Sequence, residues 1–316
     1  VVIYIFQVRA ITTLPNWNRS IVNYVDSALK GIQAFVKRKF RSVNGIYGDT
    51  TVFGQMPDWN PAEMIGRAPH ALAYSLYEKL ITDHAWRMAR KTMNYAVPEG
   101  QPLMVSLAGQ PFIDTRLSFH SYLPEDLDPN ICNKLVNTWV QKLKDNPELH
   151  DKIEFDIAIT IYSFDIDHKI NNLVGDAISE PEKKILKKTF LDQTVALLSD
   201  QHQGSISQAL HKINLLAEKQ QIQKNSENSL DINQLFMLID ECIHLGTIPF
   251  SILARHGFIA KTLLLSLVQC GILTMDEVNK ILASIRTVAS DLVEDMKRLQ
   301  TNEISRNEFM EQYGHL

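Results

Sequence analysis

The chain has 316 residues, 45% of them hydrophobic, and a formal net charge of -4 from 32 basic and 36 acidic side chains. This length is sufficient for a substantial apolar core and predicts about two domains. Because the charges nearly balance, no long-range field draws the chain to nucleic acid or to an anionic membrane. We therefore expect neither as a partner.

Cysteine spacing and hydropathy argue against two further classes, proteins with zinc or redox cysteine motifs and membrane-spanning proteins. Cys132, Cys242 and Cys270 are too far apart for the paired spacing of a zinc site or redox motif, and they are predicted to be buried, reduced thiols of a cytoplasmic protein. No apolar run reaches the length of about 18 to 20 residues that spans a bilayer. Val1–Phe6 is apolar, but it is short and lacks the basic leader of a signal peptide.

The chain opens on a predicted strand. Val1–Thr12 is rich in β-branched and aromatic residues, which favours a strand buried on both faces. Pro15, Asn16 and Asn18 end this run, and Ile21–Phe40 has helical spacing. A buried strand needs neighbours, and none follows directly. We therefore expect the chain to be part of a longer polypeptide.

The elements after this helix alternate between helices and strands as far as about residue 175. Gly45–Pro69 is predicted to be a loop, followed by helices and strands at these positions: helix Ala71–Met93, strands Leu103–Leu107 and Phe112–Leu117, and helix Asn130–Leu143. Ile153–Ile161 alternates isoleucine or phenylalanine with polar or small residues and is the clearest predicted strand.

Beyond residue 175 the pattern is helical. Capping boxes that mark helix starts are predicted at four pairs: Ser179 with Glu182, Asp231 with Gln234, Thr274 with Glu277, and Ser305 with Glu308. Val278–Leu299 has the most regular helical stripe, whereas Glu218–Ser229 is polar and is predicted to be an exposed linker.

The predicted fold class is therefore mainly α with minor β (α+β). Short strands belong to the N-terminal half, and the C-terminal region resembles a helical bundle. We predict three regions, which are a terminal strand over 1–13, an α+β region over 14–175 and a helical region over 176–316.

The first candidate site is on the opening strand. Gln7 and Arg9 are alternate residues, so their side chains would point to one side about 6.5 to 7 Å apart. A guanidinium and an amide on one face suit a polyphosphate. The alternative is an edge strand with a solvated arginine.

The second candidate is the loop Gly48–Gly66. It combines polar side chains with aromatic walls, as small-molecule pockets do: Asp58, Asn60 and Glu63 with Phe53 and Trp59. The alternative is local, because Asp58 or Asn60 could cap a short helix that begins at Pro61.

The third candidate is Asp114, Arg116 and His120, which would share one face of an extended segment. The alternative for His120 is a surface or capping residue. Other polar groups are weaker candidates. Glu154 and Asp156 are predicted to form a solvated strand face, and Arg255 and His256 are predicted to be packing or capping residues in a helix.

Four segments resemble a known family. Ile5–Thr13 is similar to the last strand of the ATP-grasp domain of phosphoenolpyruvate synthases and pyruvate phosphate dikinases, which reads Leu-Gln-x-Arg-Pro-Ile-Thr, although Ala10 replaces the proline. The resemblance implies that Gln7 and Arg9 bind nucleotide phosphates. Asp58–Gly66 is similar to a segment of the glutamine kinase-like subgroup, and Pro111–Phe119 and Phe250–Ala260 also resemble that subgroup.

The resemblance implies a multidomain phosphotransferase that converts ATP to AMP and phosphate through a phosphohistidine. The intact protein would use ATP and Mg. This chain lacks a complete ATP-grasp domain and a glycine-rich phosphohistidine segment, so we expect it to be inactive alone, with no cofactor, metal or catalytic residue of its own. Its expected partners are the missing ATP-grasp and phosphohistidine domains of the same polypeptide and a small-molecule acceptor.

The expected role of this chain is to bind that acceptor, either a glutamine amide or pyruvate. The residues assigned to it are Asp58, Trp59, Asn60, Glu63, Asp114, Arg116 and His120. Asn60 and the carboxylates suit an amide, which needs both donors and acceptors. The alternative is a non-catalytic helical scaffold or interdomain connector. A cleft where the 48–66 loop meets residues 112–120 would favour acceptor binding, and a flat apolar face on the last helices with no such cleft would favour the scaffold.

Overall fold

The structure is a computed structural model that describes residues 19–55, 57–199, 204–224 and 232–314. The predicted opening strand, with Gln7 and Arg9, lies outside these residues, as does the predicted cap Asp231. The described residues contain fourteen α-helices and one three-stranded antiparallel sheet. The prediction of a mainly α fold with minor β is confirmed.

The helices follow in chain order: α1 Arg19–Lys39, α2 Pro61–Met64, α3 Ala71–Tyr77, α4 Ala85–Thr92, α5 Thr115–His120, α6 Pro129–Asp145, α7 Ile166–Leu173, α8 Glu180–Leu198, α9 Ser205–Lys224, α10 Ile232–Glu241, α11 Ile248–Gln269, α12 Met275–Ser284, α13 Val288–Gln300 and α14 Arg306–Tyr313. Three further segments are π-helical: Glu78–Thr82, Ile153–Ile157 and Cys242–Thr247. Pro147–Leu149 and Gly175–Ala177 are 3-10 turns.

The chain divides into two compact units. Unit 1 consists of the described residues up to Tyr162 together with those of Lys169–His256. Unit 2 consists of Ser163–His168 and the described residues from Gly257 onwards.

The sheet of unit 1 is ordered β1-β3-β2, with β1 at Phe53–Gly54, β2 at Met104–Leu107 and β3 at Gln110–Asp114. β2 and β3 form a hairpin, with Leu107 opposite Gln110. The two linking residues, Ala108 and Gly109, have φ of 53° and 78°, as the tight turns that match strand twist require. The predicted strand Leu103–Leu107 is therefore confirmed as β2, and the next predicted strand is Phe112–Leu117. The second ends at Asp114 instead of Leu117, because α5 begins at the next residue.

The core of unit 1 lies between the sheet and the helical segment from α3 to α4. It contains a cluster of buried apolar side chains: Ile46, Tyr77, Trp86, Leu103, Met104, Ile113 and Leu117. α6 buries an apolar stripe whose Trp139 ring meets Phe119 edge-on at 5.7 Å between centroids. The spacing of this stripe is what predicted the helix.

The start of α6 gives a stability prediction. Asp128 caps it by accepting from the backbone amides of Asn130 at 2.8 Å and Ile131 at 3.3 Å. Because those amides have no partner within the helix, Asp128→Ala should lower the free energy of unfolding by about 1 kcal/mol. Urea denaturation tests this, with Asp126→Ala as control, since Asp126 is exposed and caps no helix. Equal urea midpoints for the two variants would contradict the prediction.

The predicted strand Ile153–Ile161 is wrong. Ile153–Ile157 is a π-helix, and residues 158–160 are irregular. Ile153 and Ile157 are both buried at a spacing of four, so the alternation in sequence does not correspond to two strand faces. The carbonyl of Thr160 accepts from the Arg255 guanidinium at 3.0 Å and not from a neighbouring strand.

The predicted helix Val278–Leu299 is also wrong as one element. α12 ends at Ser284, and α13 begins after Thr287, whose side chain and that of Ser290 form a capping box. A second start signal therefore interrupts the stripe. The predicted boxes at Ser179, Thr274 and Ser305 are confirmed. The predicted linker at Glu218 is helical as far as Lys224.

Two composition-based expectations also fail. Gln234–Gln269 is long and apolar enough to cross a bilayer by length and composition, with a mean hydropathy of 1.4 in its best window, of which 28% is buried. The sequence expectation was that no segment would qualify. Buried Arg255 lies within it, and a charged side chain of this kind is costly in lipid.

The three cysteines were all expected to be buried. Cys132 is buried as expected, but Cys242 and Cys270 are exposed.

Candidate functional site

Unit 1 encloses a group of ionisable side chains contributed by distant parts of the chain. We call it the Asp58–Arg255 network, and its members are Asp58, Arg90, Tyr95, Tyr122, Glu154 and Arg255. The four charged side chains are between 1% and 13% exposed. Two carboxylates and two guanidiniums balance in charge, which is what allows them to be buried together.

Asp58 forms one end of this network. Its Oδ1 lies 3.7 Å from Nη2 of Arg90, and its Oδ2 accepts from the Ser118 hydroxyl at 3.2 Å. Arg90 also donates to the carbonyl of Ser251 at 3.5 Å. Burial raises the pKa of Asp58 above its ordinary value, and the attraction of Arg90 opposes this only in part.

Arg255 forms the other end. It donates to the carbonyl of Thr160 at 3.0 Å and to the Tyr95 hydroxyl at 3.3 Å, and its Nη1 lies 3.9 Å from Glu154. The rings of Tyr95 and Tyr122 lie 5.5 and 5.3 Å from the guanidinium carbon, a cation–π distance. Tyr122 donates to Glu154 at 3.2 Å, and burial raises the pKa of that carboxyl.

Three buried donors beside the network make no hydrogen bond within the described chain. They are Nη1 of Arg255, the Ser251 hydroxyl and the Trp59 indole nitrogen. Ser251 and Arg255 are four residues apart on α11 and therefore share one helix face. The Trp59 ring lies 6.2 Å from the Phe250 ring. Buried donors without acceptors are uncommon, and together they suit a ligand that carries carboxylate, phosphate or amide oxygens.

The loop that carries Trp59 has an unusual backbone. Asp58 and Asn60, on either side of it, have φ of 53° and 43°, in the left-handed region that non-glycine residues seldom occupy. Aspartate and asparagine enter this region more readily than other non-glycine residues, so the turn that presents Trp59 is built from residues that tolerate it. Here Tyr77 donates to the Trp59 carbonyl at 2.6 Å and holds the loop.

The other predicted acceptor-binding residues are at different places. Asn60 caps α2 by accepting from the amide of Glu63 at 3.3 Å, so the local alternative is confirmed for Asn60. Glu63 is exposed in the first turn of α2.

Arg116 supports the backbone. Its guanidinium donates to the carbonyls of Arg41 at 2.9 Å and Lys39 at 3.3 Å, at the C-terminal end of α1, and to Gly48 at 3.3 Å. Gly48 has a φ of 91°, and a Cβ there would lie 2.6 Å from Val136, so only glycine fits. The bond to Lys39 satisfies a carbonyl that helix α1 leaves unpaired, and the bonds to Arg41 and Gly48 hold the segment that follows it.

The prediction that Asp114, Arg116 and His120 share one strand face is wrong. Asp114 ends β3, whereas the other two lie in α5. Asp114 accepts from the Thr51 hydroxyl at 2.5 Å, and burial raises the pKa of its carboxyl. His120 is held elsewhere: its Nε2 accepts from the backbone amide of Tyr47 at 2.9 Å.

Sequence reasoning missed most of the network. Arg90, Tyr95 and Tyr122 carried no recognisable pattern, and Glu154 was predicted to be solvated, which its 13% side-chain exposure contradicts. Arg255 was predicted to be a packing residue in a helix. The one signal was its position, because a charged residue inside an apolar helix must find partners.

A cleft of about 280 Å³ lies where the 48–66 loop meets β3. Val52, Phe53, Gln55 and Phe112 line it, and none of the predicted acceptor-binding residues does.

Comparison of the chain with models of protein families, with curated proteins and with solved structures gives no match. The fold and the site define a mainly helical protein with a buried, charge-balanced network and three nearby buried donors that make no hydrogen bond within the described chain.

Proposed function

We propose that unit 1 is the acceptor-binding part of a multidomain ATP-dependent phosphotransferase that resembles phosphoenolpyruvate synthase. The observation that supports this is the set of buried donors that make no hydrogen bond within the described chain, since a small acceptor with amide or carboxylate oxygens would satisfy them. Trp59 is half-buried and would contact this acceptor first. Asn60 caps α2 by accepting from the amide of Glu63, and Arg116 donates to carbonyls at the end of α1, so in this proposal they position the loop.

The chemistry is divided between this chain and the rest of the enzyme. ATP-grasp and phosphohistidine domains of the same polypeptide would bind ATP and Mg and carry the phosphoryl group. This chain would hold the acceptor, either glutamine through its side-chain amide or pyruvate, away from water while the phosphoryl group is transferred. The chain by itself would not turn over ATP, and we place it in the cytoplasm.

Calorimetric titration with L-glutamine and with pyruvate tests the proposal, with ATP breakdown assayed in the same samples. We expect one of the two to bind and no ATP to be consumed. Asp58→Asn keeps the size of the side chain but leaves Arg90 without its countercharge, so it should weaken binding about tenfold or more. Asp126→Asn makes the same chemical change at an exposed position and should bind as the unmodified chain does. ATP turnover by the chain alone would overturn the proposal.

Exposed apolar side chains on two helices of unit 2 support the alternative, a scaffold function. Several apolar side chains of α12 and α13 are between 40% and 65% exposed: Ile281, Val288, Val293 and Met296. Exposed apolar residues on adjacent helices of unit 2 suit contact with another domain. These exposed residues accompany the cleft of about 280 Å³ at the loop, whereas the scaffold was expected to have an apolar face and no such cleft. Failure of both acceptors to bind would favour the scaffold.

A further inference from the structure

We propose that the cleft beside His120 is a second ligand site, which takes a small zwitterion carrying a carboxylate and an ammonium group. The cleft has a volume of about 310 Å³, and its lining includes Ile46, Tyr47, Val97, Pro98, His120 and Glu125. No member of the Asp58–Arg255 network lines it. The inference therefore does not rest on the proposed function.

The hydrogen bond from Tyr47 determines the tautomer of His120. Nε2 lies 2.9 Å from the backbone nitrogen of Tyr47 and 3.2 Å from its carbonyl oxygen. A backbone amide always carries its proton, and a proton on Nε2 as well would place two hydrogens against each other, so we assign Nε2 as the acceptor of the shorter bond. Nε2 therefore has no proton of its own. Burial lowers the pKa of His120 to about 4, so the imidazole is neutral at neutral pH and its single proton is on Nδ1.

Nδ1 of His120 is a donor without a partner. It makes no hydrogen bond with the described residues, and it is not among the polar atoms that are both unpaired and sealed from solvent. The ring cannot turn away, because it stacks on Tyr47 with centroids 4.9 Å apart and planes inclined by 16°. This arrangement presents a fixed N–H group to an anionic oxygen in the cleft.

The two sides of the cleft differ in charge. Arg116 lies four residues before His120 on α5, and its guanidinium donates to the carbonyl of Gly48, the residue after Tyr47, so positive charge lies on this side and favours an anion. Glu125 is exposed on the lining and supplies a carboxylate for a cation. Val97 and Pro98 provide an apolar wall. A molecule with a carboxylate at one end and an ammonium at the other complements both groups.

NMR titration of the full chain tests this inference, with the backbone amide of Tyr47 as the reporter. The probes are glycine, β-alanine and 4-aminobutyrate, which differ in the separation of their charges. Acetate and methylammonium are the controls that carry one charge each. We expect at least one zwitterion to shift the Tyr47 signal at millimolar concentration, with about tenfold higher affinity than either control.

Two variants separate the contacts. His120→Gln can still accept from Tyr47 but has no Nδ1 donor, so the affinity for the zwitterion should fall about tenfold. Glu125→Gln should reduce it about threefold, because an exposed ion pair is weak. Asp126→Asn removes a neighbouring charge that does not line the cleft and should change nothing. If no zwitterion shifts the Tyr47 signal, or if Glu125→Gln and Asp126→Asn bind equally, the inference is wrong. Neither outcome affects the acceptor titration of Asp58→Asn.

Discussion

Arg255→Met is expected to lower the free energy of unfolding by about 3 to 5 kcal/mol, the cost of breaking a buried ion pair from one side. The variant leaves Glu154 buried without its countercharge and leaves the Thr160 carbonyl and the Tyr95 hydroxyl without the guanidinium. Methionine retains most of the apolar stem, so lost packing contributes little. Urea denaturation followed by circular dichroism measures the change.

A double variant and a surface control isolate the cause. Arg255→Met combined with Glu154→Gln removes both charges and should recover part of the loss, because the two sites are coupled. Arg286→Met removes an arginine whose side chain is 77% exposed beside Asp291, and it should leave the urea midpoint unchanged. A loss below about 1 kcal/mol for Arg255→Met would show that the buried network does not carry this stability.

The second large effect is on pH dependence. Burial lowers the pKa of His120 from 6.5 to about 4, so the folded state favours the neutral imidazole. This group contributes stability that is fully present above pH 6.5 and is lost as the pH falls towards 4, which amounts to about 3 kcal/mol. The difference in unfolding free energy between the unmodified chain and His120→Gln, measured between pH 4 and 7.5, should therefore shift by about that amount in favour of the variant on acidification.

The comparison with a variant is necessary because other buried groups act in the opposite direction. Burial raises the pKa of Asp58, Asp114 and Glu154, so their contributions fall as the pH rises above their ordinary values. These contributions are common to both proteins and cancel in the difference. His70→Gln changes an exposed histidine and should run parallel to the unmodified chain. A parallel curve for His120→Gln as well would contradict the buried, neutral imidazole.

Local signals in the sequence predicted local structure well. The helical stripes predicted α1 and α6, and the boxes at Ser179, Thr274 and Ser305 mark real helix starts. Asn60 caps α2 as its spacing with Pro61 and Glu63 allowed. Each signal involves residues no more than four or so positions apart, whose geometry a single helical turn fixes.

Hydrophobic periodicity predicted the wrong element where a segment is buried on all sides or where a helix cap interrupts an apolar stripe. Ile153–Ile157 alternates like a strand, but all of residues 157–161 are buried, so alternation does not distinguish an inner from an outer face there. The stripe over Val278–Leu299 continues across the break at Thr287, where side-chain capping outweighs periodicity. Arg116 and His120 were placed on a strand, whereas α5 is buried along its whole length.

The sequence by itself determined the fold class, most helix positions and the loop that carries Asp58 and Trp59, because these depend on propensities and contacts between near neighbours. Tertiary structure alone decided which ionisable groups are buried together. Arg90 reaches the Ser251 carbonyl across 161 positions, and Arg255 reaches Tyr95 across 160 and Thr160 across 95. No local pattern encodes such pairs, since the low dielectric of a shared interior selects them only after the chain has folded.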